Sequence, residues 1–542
     1  MDNQNPQFKK VLLVILDGFG VASDSFANAI THAGMKNFGL FVNYYPSLTL
    51  QAAGPNVGLG WDDPGNSEVG HTCLGAGRII LQDMPRIDQS IADGIFYQNP
   101  AFLKAIEHVK KNQSALHLIG LIGDGLVHAS QLHLYSLLTL ASESGVDKVF
   151  IHAFTDGRDT APNKALEDMK AIEKKILDVG IGKVATVIGR FYAMDRAEHW
   201  DLTESAYKAM VIGEGEIAEG PLSAIEQNYE KNIFDETIPP TVIEREGKDP
   251  VTIKSNDAVI MWNYRPDRAI QITKALVAPQ SVPFANKYPP LSNLLFVAMT
   301  QYSQGLPVVT AFEKQPVPNT LAEILSKNGK KQYHISESEK YAHVTYFFNN
   351  GKQTPNAGEE WKILSSSSSY KERYQNVPQM SAPELTVALL EKLDEPIDVY
   401  VVNYANPDMV AHTGNFEASK KALLAIDDLL GDLANKALEK KDLLMLITSD
   451  HGNIEEVKTI ETGRVSKAHT GNPVPFLAIG EGLKLSTPLK KGYLELAAQV
   501  PEGLLSDVAP TVLDVLNIEK PSEMTGVSMM AKFFKQIGNN DP

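Results

Sequence analysis

Short apolar runs alternate with amphipathic stretches along almost the whole chain. Residues 11–16, Val399–Tyr404 and Leu443–Thr448 are continuous apolar runs of strand length, whereas Gln131–Glu143 and residues 164–177 show helical spacing. Further buried strands are predicted at residues 116–122, 149–154, 184–188, 259–262 and 294–299. Strands that alternate with helices are typical of α/β domains with mainly parallel sheets. The sequence therefore predicts an α/β fold.

Acidic and histidine side chains follow several of these apolar runs, far apart in the sequence. Functional groups gather outside the carboxyl ends of the strands in open α/β sheets, so we expect these side chains to meet. Asp408 and His412 are also four residues apart and would share one face of a helix. The candidates are Asp17, Asp408, His412, Asp450, His451 and His469.

Mixed aspartate and histidine ligation suits Mn²⁺, Zn²⁺ or Co²⁺ better than Ca²⁺. Three aspartates and three histidines are about what two divalent ions need. Each position taken alone is explained as easily by a helix cap or a structural histidine. We expect a two-metal site because the candidates recur after strands and in glycine-rich loops.

Ser67 is the candidate nucleophile. It lies in Asn66-Ser67-Glu68, directly after the turn-rich residues 62–65, where a helix is predicted to begin. Free backbone N–H groups at a helix N-terminus favour an anion, and a divalent ion would activate the hydroxyl group. The alternative from the residues alone is that Ser67 is an ordinary N-cap.

The middle of the chain places arginines and a histidine after strands. Arginine recognises phosphate and carboxylate groups through two parallel hydrogen bonds, so a small anionic ligand is expected there. Local ion pairs, Arg158 with Asp159 and Asp267 with Arg268, are the alternative for some of them. The candidate anion-binding residues are His128, Arg158, Arg190, Arg196, Arg265 and Arg268.

The uneven distribution of these residues predicts two domains. Metal-type residues cluster at residues 1–75 and 400–475, whereas the arginines cluster at 155–270. One domain would be built from residues 1–82 and 316–542, and a second, residues 83–315, would be inserted into it. The active site is then expected in the cleft between the domains.

Composition excludes several classes of protein. The 542 residues carry a formal charge of −16, which argues against nucleic-acid binding as the main activity. Cys73 is the single cysteine, so an intrachain disulfide is excluded. The polar first ten residues and the lack of a long apolar run favour neither a secretory signal nor a membrane span. We expect a cytoplasmic protein, with a monomer as the default.

In combination, these motifs resemble those of the cofactor-independent phosphoglycerate mutases of the alkaline phosphatase superfamily. The resemblance runs over nearly the whole chain, from residues 14–20 to residues 507–511. Its most specific stretches are residues 65–71, 152–162, 189–196, 403–414, 449–455 and 468–475. It implies an alkaline-phosphatase-like domain with a parallel sheet, built from both chain ends, and an inserted α/β transferase domain.

The resemblance also implies roles for individual residues. Asp408, His412 and His469 would hold one metal ion, and Ser67 would be the phosphorylated nucleophile. The second ion would be held by Asp17, Ser67, Asp450 and His451. Substrate contacts would fall on His128, Arg158, Asp159, Arg190, Arg196, Arg265, Arg268 and Lys340, of which Lys340 is assigned by resemblance alone.

The implied reaction interconverts 3-phosphoglycerate and 2-phosphoglycerate through phosphoserine, without 2,3-bisphosphoglycerate. Two divalent ions would be required, with Mn²⁺ expected and Mg²⁺, Co²⁺ or Zn²⁺ as alternatives. Asp159 would be both a substrate contact and the general acid/base for the hydroxyl protons. Closure of the two domains would retain glycerate and exclude water.

Three segments depart from the family pattern: residues 61–64, the serine run 365–369, which we expect to be a surface loop, and Gly471. They put the loop geometry near Ser67 and His469 in question. One rival is a metal-dependent phosphomonoesterase or phosphodiesterase of the same superfamily, which would not need the arginine-bearing insertion. The other is a binding protein on an inactive scaffold, which predicts losses among the metal ligands, and the sequence retains all of them.

Overall fold

The computed structural model describes residues 7–244, 249–284, 286–366, 374–488 and 492–538. The chain divides into two compact units, one of Met1–Leu81 with Pro316–Pro542 and the other of Gln82–Gln315. Each unit has its own hydrophobic core and its own sheet. No helix within the described ranges is both long enough and apolar enough to cross a membrane.

The strands in chain order are β1 (Lys10–Leu16), β2 (Ser47–Gln51), β3 (Leu116–Leu121), β4 (Val149–Thr155), β5 (Lys183–Gly189), β6 (Glu216–Ala218), β7 (Thr241–Ile243), β8 (Ala258–Met261), β9 (Leu295–Thr300), β10 (Val309–Phe312), β11 (Gln332–Glu337), β12 (Glu359–Leu364), β13 (Val399–Tyr404), β14 (Leu443–Thr448), β15 (Val474–Ile479) and β16 (Gly503–Leu504).

The α-helices are α1 (Ala29–Ala33), α2 (Lys36–Tyr44), α3 (Ser67–Ala76), α4 (Asp83–Ala92), α5 (Pro100–Asn112), α6 (Gln131–Glu143), α7 (Ala165–Val179), α8 (Arg190–Ala193), α9 (Trp200–Tyr207), α10 (Pro221–Glu230), α11 (Ile270–Val277), α12 (Leu321–Lys327), α13 (Ala382–Lys392), α14 (Asn406–Ala411), α15 (Phe416–Glu439), α16 (Tyr493–Ala497), α17 (Val508–Val515) and α18 (Met530–Gly538).

The sheet of the unit built from both chain ends has the order β12-β11-β13-β1-β14-β15-β2-β16. The first five strands in this order, β12, β11, β13, β1 and β14, are parallel to one another. Strand β15 runs antiparallel to both of its neighbours, β14 and β2. The central strands β13 and β14 are buried at every residue, which explains their continuous apolar sequences. Because β13, β1 and β14 are adjacent and parallel, the residues that follow them meet at one edge of the sheet.

The sheet of the inserted unit has the order β10-β9-β8-β3-β4-β5-β7-β6. Its strands are parallel except at the junction of β5 and β7. The predicted α/β class with mainly parallel sheets is confirmed. Helix α6 has its predicted bounds, whereas α7 begins one residue later than predicted and ends at Val179.

Candidate active site

Three loops at the carboxyl ends of adjacent strands bring aspartates from distant parts of the sequence together. Asp17 directly follows β1, Asp450 lies two residues beyond β14, and Asp408 is in α14, which follows β13. All three carboxylates are buried, with exposed fractions of 0 to 2%. Buried carboxylates require cations or strong hydrogen-bond donors nearby, so this edge of the sheet is a cation-binding environment.

The predicted first metal group, Asp408, His412 and His469, is assembled. Asp408 Oδ1 lies 3.2 Å from His412 Nε2 and 3.3 Å from His469 Nε2, and the two Nε2 atoms are 3.1 Å apart. The Nδ1 atoms face backbone carbonyls, Lys467 O at 2.8 Å for His412 and Gly65 O at 2.9 Å for His469. An N–H at Nδ1 leaves the lone pair at Nε2, the form in which imidazole binds a metal ion.

The predicted second group, Asp17, Ser67, Asp450 and His451, is also assembled. Ser67 Oγ lies 3.2 Å from Asp17 Oδ1 and 2.9 Å from His451 Nε2. His451 Nε2 is 3.6 Å from Asp17 Oδ1 and 3.5 Å from Asp450 Oδ2. His451 Nδ1 donates to Gly452 O at 3.2 Å, which again leaves the lone pair at Nε2.

Ser67 is the first residue of helix α3, and Asn66 is its N-cap. The Asn66 side chain accepts a hydrogen bond from Val69 N at 3.0 Å. The capping role therefore belongs to Asn66, and the Ser67 hydroxyl group is directed into the carboxylate cluster. The helix N-terminus adds a partial positive charge beside this hydroxyl group.

Lys340 provides the positive charge nearest to Ser67. Its Nζ atom donates to Ser67 Oγ at 2.7 Å and lies 2.6 Å from Asp17 Oδ1 and 2.7 Å from Asp408 Oδ2. Burial opposes protonation of the amine, but the carboxylates outweigh it and raise the pKa of Lys340 above its ordinary value. The carboxylates therefore favour the charged form of Lys340 between the two groups, although this residue was assigned by resemblance alone.

The residues of this cluster fit divalent cations. Burial and the neighbouring Asp450 raise the pKa of Asp17, which means that one ammonium group does not neutralise the carboxylates. Asp450 Oδ2 is buried and lies 3.2 Å from His71 Nδ1 and 3.5 Å from His451 Nε2, but it accepts no well-aligned hydrogen bond from the described residues. Three groups of ligand-type atoms lie within 4.8 Å of one another in the described chain: Asp408 with His412 and His469, Asp17 with His71 and Asp450, and Asp17 with Asp408 and His451.

Sequence reasoning missed three residues that orient the cluster. Asn403, the fifth residue of β13, donates to Asp17 Oδ2 at 2.7 Å and to His71 Nε2 at 3.0 Å. His71 Nδ1 donates to Ser67 O at 2.8 Å and lies 3.2 Å from Asp450 Oδ2, so both ring nitrogens of His71 have protein partners. Asn453 donates to Asp408 Oδ1 at 2.7 Å. A polar residue inside an apolar run, as at Asn403, was the available signal.

The inserted unit has a cluster of charged side chains around Arg190. Arg190 is 3% exposed and donates to Asp156 Oδ1 at 2.6 Å and to Asp159 Oδ2 at 2.5 Å. His128 Nε2 lies 3.8 Å from Asp159 Oδ2. Burial and the nearby Arg190 guanidinium lower the pKa of His128 to about 4, so its imidazole is neutral near pH 7.

The remaining arginines surround Asp267. Arg196 donates to Asp267 Oδ2 at 2.7 Å, and Arg265 Nε lies 3.1 Å from Asp267 Oδ1. Burial, followed by the guanidinium groups of Arg190 and Arg196, lowers the pKa of Arg268 below its ordinary value. Neither anticipated local pair is formed in the described structure, because Asp267 pairs with Arg196 and Arg265, and Asp159 pairs with Arg190. The Arg158 side chain is half exposed, and its Nη1 atom lies 3.5 Å from Glu236 Oε1.

A cavity of about 430 Å³ lies beside His412 and His469 in the unit built from both chain ends. Its lining includes Asp63 and Pro64 from the atypical segment 61–64, and Trp61 of that segment is 88% exposed. Of the serine run 365–369, Ser365 is exposed, and residues 367–369 lie outside the described residues. The other lining residues are Leu59, Gly65, Asn66, Lys467 and Ala468.

Comparison with known proteins gives a consistent result. A family described as "BPG-independent PGAM N-terminus" matches residues 87–304. The chain is 46% identical over 523 residues to the 2,3-bisphosphoglycerate-independent phosphoglycerate mutase of Clostridium novyi, covering 96% of this chain and 99% of that one. The enzyme of the same name from Clostridium acetobutylicum is 45% identical with the same coverage. Among solved structures, Leishmania mexicana phosphoglycerate mutase, crystallised at low cobalt concentration, matches with a TM-score of 0.61 and 27% identity over 97% of this chain and 98% of that one.

Proposed function

The chain belongs to the 2,3-bisphosphoglycerate-independent phosphoglycerate mutases, and on that premise we propose that it interconverts 3-phosphoglycerate and 2-phosphoglycerate through a phosphoserine at Ser67. The observation that carries the proposal is the environment of the Ser67 hydroxyl group. Its oxygen lies within 3.2 Å of Asp17, His451 and Lys340, at the start of a helix. A hydroxyl group with this many polar neighbours is oriented for attack.

We propose that the cluster holds two divalent ions, with Mn²⁺ favoured and Mg²⁺, Co²⁺ or Zn²⁺ as alternatives. Asp408, His412 and His469 would hold one ion, and Asp17, Ser67, Asp450 and His451 the other. Bound divalent ions lower the pKa of a hydroxyl ligand and stabilise charge on phosphoryl oxygens. Lys340 adds an ammonium donor that contacts the same hydroxyl oxygen.

Ser67 then has a simple chemical role. The Ser67 hydroxyl group loses its proton as its oxygen attacks the phosphorus of 3-phosphoglycerate. The bond from phosphorus to the O3 oxygen breaks, and that oxygen takes a proton to give glycerate. In the return step the O2 hydroxyl group of glycerate attacks the phosphoserine and loses its proton. The serine oxygen is released and takes a proton, which restores the hydroxyl group, and the product is 2-phosphoglycerate.

Substrate recognition is assigned to the guanidinium groups of the inserted unit, with His128 and Lys340. Arg158, Arg190, Arg196, Arg265 and Arg268 suit the carboxylate and phosphate oxygens of a small trianion. Asp159 lies beside Arg190 and His128 and is proposed as the acid/base that exchanges the hydroxyl protons of glycerate. Neutral His128 can donate a hydrogen bond without adding charge.

These proposed roles assign a different function to each of the two units. Residues 1–82 with 316–542 would be the phosphatase-like, metal-binding domain, and residues 83–315 the transferase domain. A cytoplasmic location and a monomeric state stay predictions.

The direct test is conversion of 3-phosphoglycerate with Mn²⁺ and without a bisphosphoglycerate primer. We expect 2-phosphoglycerate to form and EDTA to abolish its formation. Release of inorganic phosphate is followed in the same samples, because the rival phosphomonoesterase would release one phosphate for each 3-phosphoglycerate consumed. Activity that persists after exhaustive chelation would contradict the metal assignment.

A further inference from the structure

Glu455 is a buried carboxylate, 1% exposed, that accepts hydrogen bonds at both of its oxygens. Oε2 accepts from Gly20 N at 3.0 Å and from Asn453 N at 2.9 Å. Oε1 accepts from the Thr470 hydroxyl group and from Asn472 Nδ2 at 3.1 Å. With two donors on each oxygen, the carboxylate is directed at the protein and not at a ligand.

The donors belong to three different loops, and each loop carries proposed metal ligands. Gly20 lies three residues after Asp17, Asn453 lies two residues after His451, and Thr470 follows His469. Asn453 in turn donates to Asp408 Oδ1 at 2.7 Å. Through these contacts one carboxylate is connected to ligands of both groups.

The backbone leaves space for this carboxylate. A Cβ atom at Gly20 or at Gly452 would overlap the carboxylate group of Glu455. Thr470 N also donates to Gly452 O at 3.0 Å, so the loop of His469 is joined to the loop of His451 beside the carboxylate.

We propose that Glu455 is a positioning residue that fixes the three ligand loops relative to one another and thereby sets the affinity of both metal sites. The inference rests on the proposed function, because it takes the two ligand sets from there. Hydrogen bonds to an ionised carboxylate are shorter and stronger than those between neutral groups. Residues that orient metal ligands without touching the ion are typically worth 10- to 100-fold in affinity.

The test is titration of the metal-free, folded protein with Mn²⁺ by isothermal calorimetry, well below the thermal midpoint of each variant. We expect Glu455→Ala to weaken both sites by about tenfold or more. Glu455→Gln should lose less, because its amide oxygen still accepts from the two backbone N–H groups. Thr470→Val, which removes one of the hydrogen bonds between Glu455 and the loop of His469, should weaken the site of Asp408, His412 and His469 and spare the other. Glu456→Gln is the matched control and should bind as the wild type does.

The outcomes separate this proposal from the proposed function. A wild-type protein that binds no Mn²⁺ contradicts the ligand sets, and the positioning role with them. A wild type that binds two ions, with Glu455→Ala lowering the thermal midpoint but keeping both dissociation constants within about twofold, overturns the positioning role alone. If Glu455→Ala does not fold, Glu455→Gln and Thr470→Val decide the matter, and wild-type affinity at both sites in these two variants overturns the proposal.

Discussion

Replacing Gly70 by alanine should separate Ser67 from its neighbours. Gly70 lies on the first turn of α3, three residues after Ser67, where the helix crosses the backbone of Asp450. A Cβ atom there would lie 2.8 Å from Asp450 Cβ and 3.0 Å from Asp450 C, and closer still to the Asp450 carbonyl oxygen. The helix and the Asp450 loop cannot both keep their positions with this atom present.

The required displacement follows from ordinary contact distances. Carbon atoms at optimal contact are about 3.5–4.0 Å apart, so the helix or the loop must move by roughly 1 Å. A misplacement of about 1 Å between reacting groups can cost roughly 100-fold in rate, and overpacking a buried contact costs about 1–3 kcal/mol of stability. Helix propensity acts in the opposite direction, because alanine is favoured over glycine by about 1 kcal/mol within a helix.

The assay compares kcat for mutase activity and the thermal midpoint in Gly70→Ala and Gly39→Ala. Gly39 lies on α2, and apart from its own helix backbone and chain neighbours no atom of the described residues lies within 4 Å of an added Cβ. Gly39→Ala should keep wild-type kcat and gain about 0.5–1 kcal/mol of stability. Gly70→Ala should lose about two orders of magnitude in kcat at saturating Mn²⁺. Wild-type kcat in Gly70→Ala would refute the packing argument.

Three further predictions concern the acid/base role of Asp159, the pH dependence of metal binding and the buried imidazole of His152. Asp159→Asn should lower kcat strongly while Mn²⁺ binding is unchanged; a normal mutase rate would rule out its acid/base role. Mutase activity should fall at acid pH, because protons compete with the metal ions for the carboxylate and imidazole ligands. A higher Mn²⁺ concentration should move this acid limb of the pH–activity profile to lower pH. An acid limb that does not respond to Mn²⁺ would have another origin. Burial, followed by the neighbouring His117, lowers the pKa of His152 well below its ordinary value. The neutral imidazole therefore makes its full contribution to stability above about pH 6.5. As the pH falls below that value, the free energy of unfolding decreases by about 1 kcal/mol per pH unit. His152→Gln should therefore show a smaller drop in thermal midpoint between about pH 7.5 and about pH 5.5 than the wild type, and an equal drop would contradict the linkage.

The central strands and their ligands could be read from the sequence because a buried parallel strand has a simple signature. Strands β13 and β14 have their predicted bounds, since both lie at the centre of the sheet and are mainly apolar, with Asn403 as the polar exception in β13. The aspartates that follow them had to meet once the strands were known to be parallel and adjacent. The prediction that Ser67 begins a helix is confirmed, while the cap is Asn66.

Strand β11, which precedes Lys340, could not be predicted in the same way. Its sequence includes Gln332, His334 and Glu337, yet every residue of the strand is buried. Gln332 donates to Ala322 O at 2.9 Å, and His334 Nδ1 donates to Val344 O at 2.7 Å. Hydrogen bonds to the segments that precede and follow the strand make this burial possible, and a sequence pattern does not reveal them. For the same reason the buried environment of Lys340 was invisible from spacing.

The supporting residues His71 and Asn403 were missed for a different reason. Their side chains contact the backbone carbonyl of Ser67 and the second oxygen of Asp17, which depends on side-chain rotamers and on the register of β13 with β1. The ends of the strands predict which residues lie close together. Which of their polar atoms hydrogen-bond to one another is known only from the coordinates. The same holds for Arg190 and Arg196 of the inserted unit, which pair across loops with Asp156, Asp159 and Asp267, whereas Arg265 pairs with Asp267 two residues away.

The most direct test of the account is to find where the phosphoryl group resides during turnover. The Mn²⁺-loaded enzyme is mixed with 3-phosphoglycerate labelled in its phosphoryl group, quenched within one turnover and mapped by peptide mass spectrometry. We predict label on Ser67, and neither label nor turnover in Ser67→Ala. Label on another residue, or turnover that continues in Ser67→Ala, would contradict the central claim.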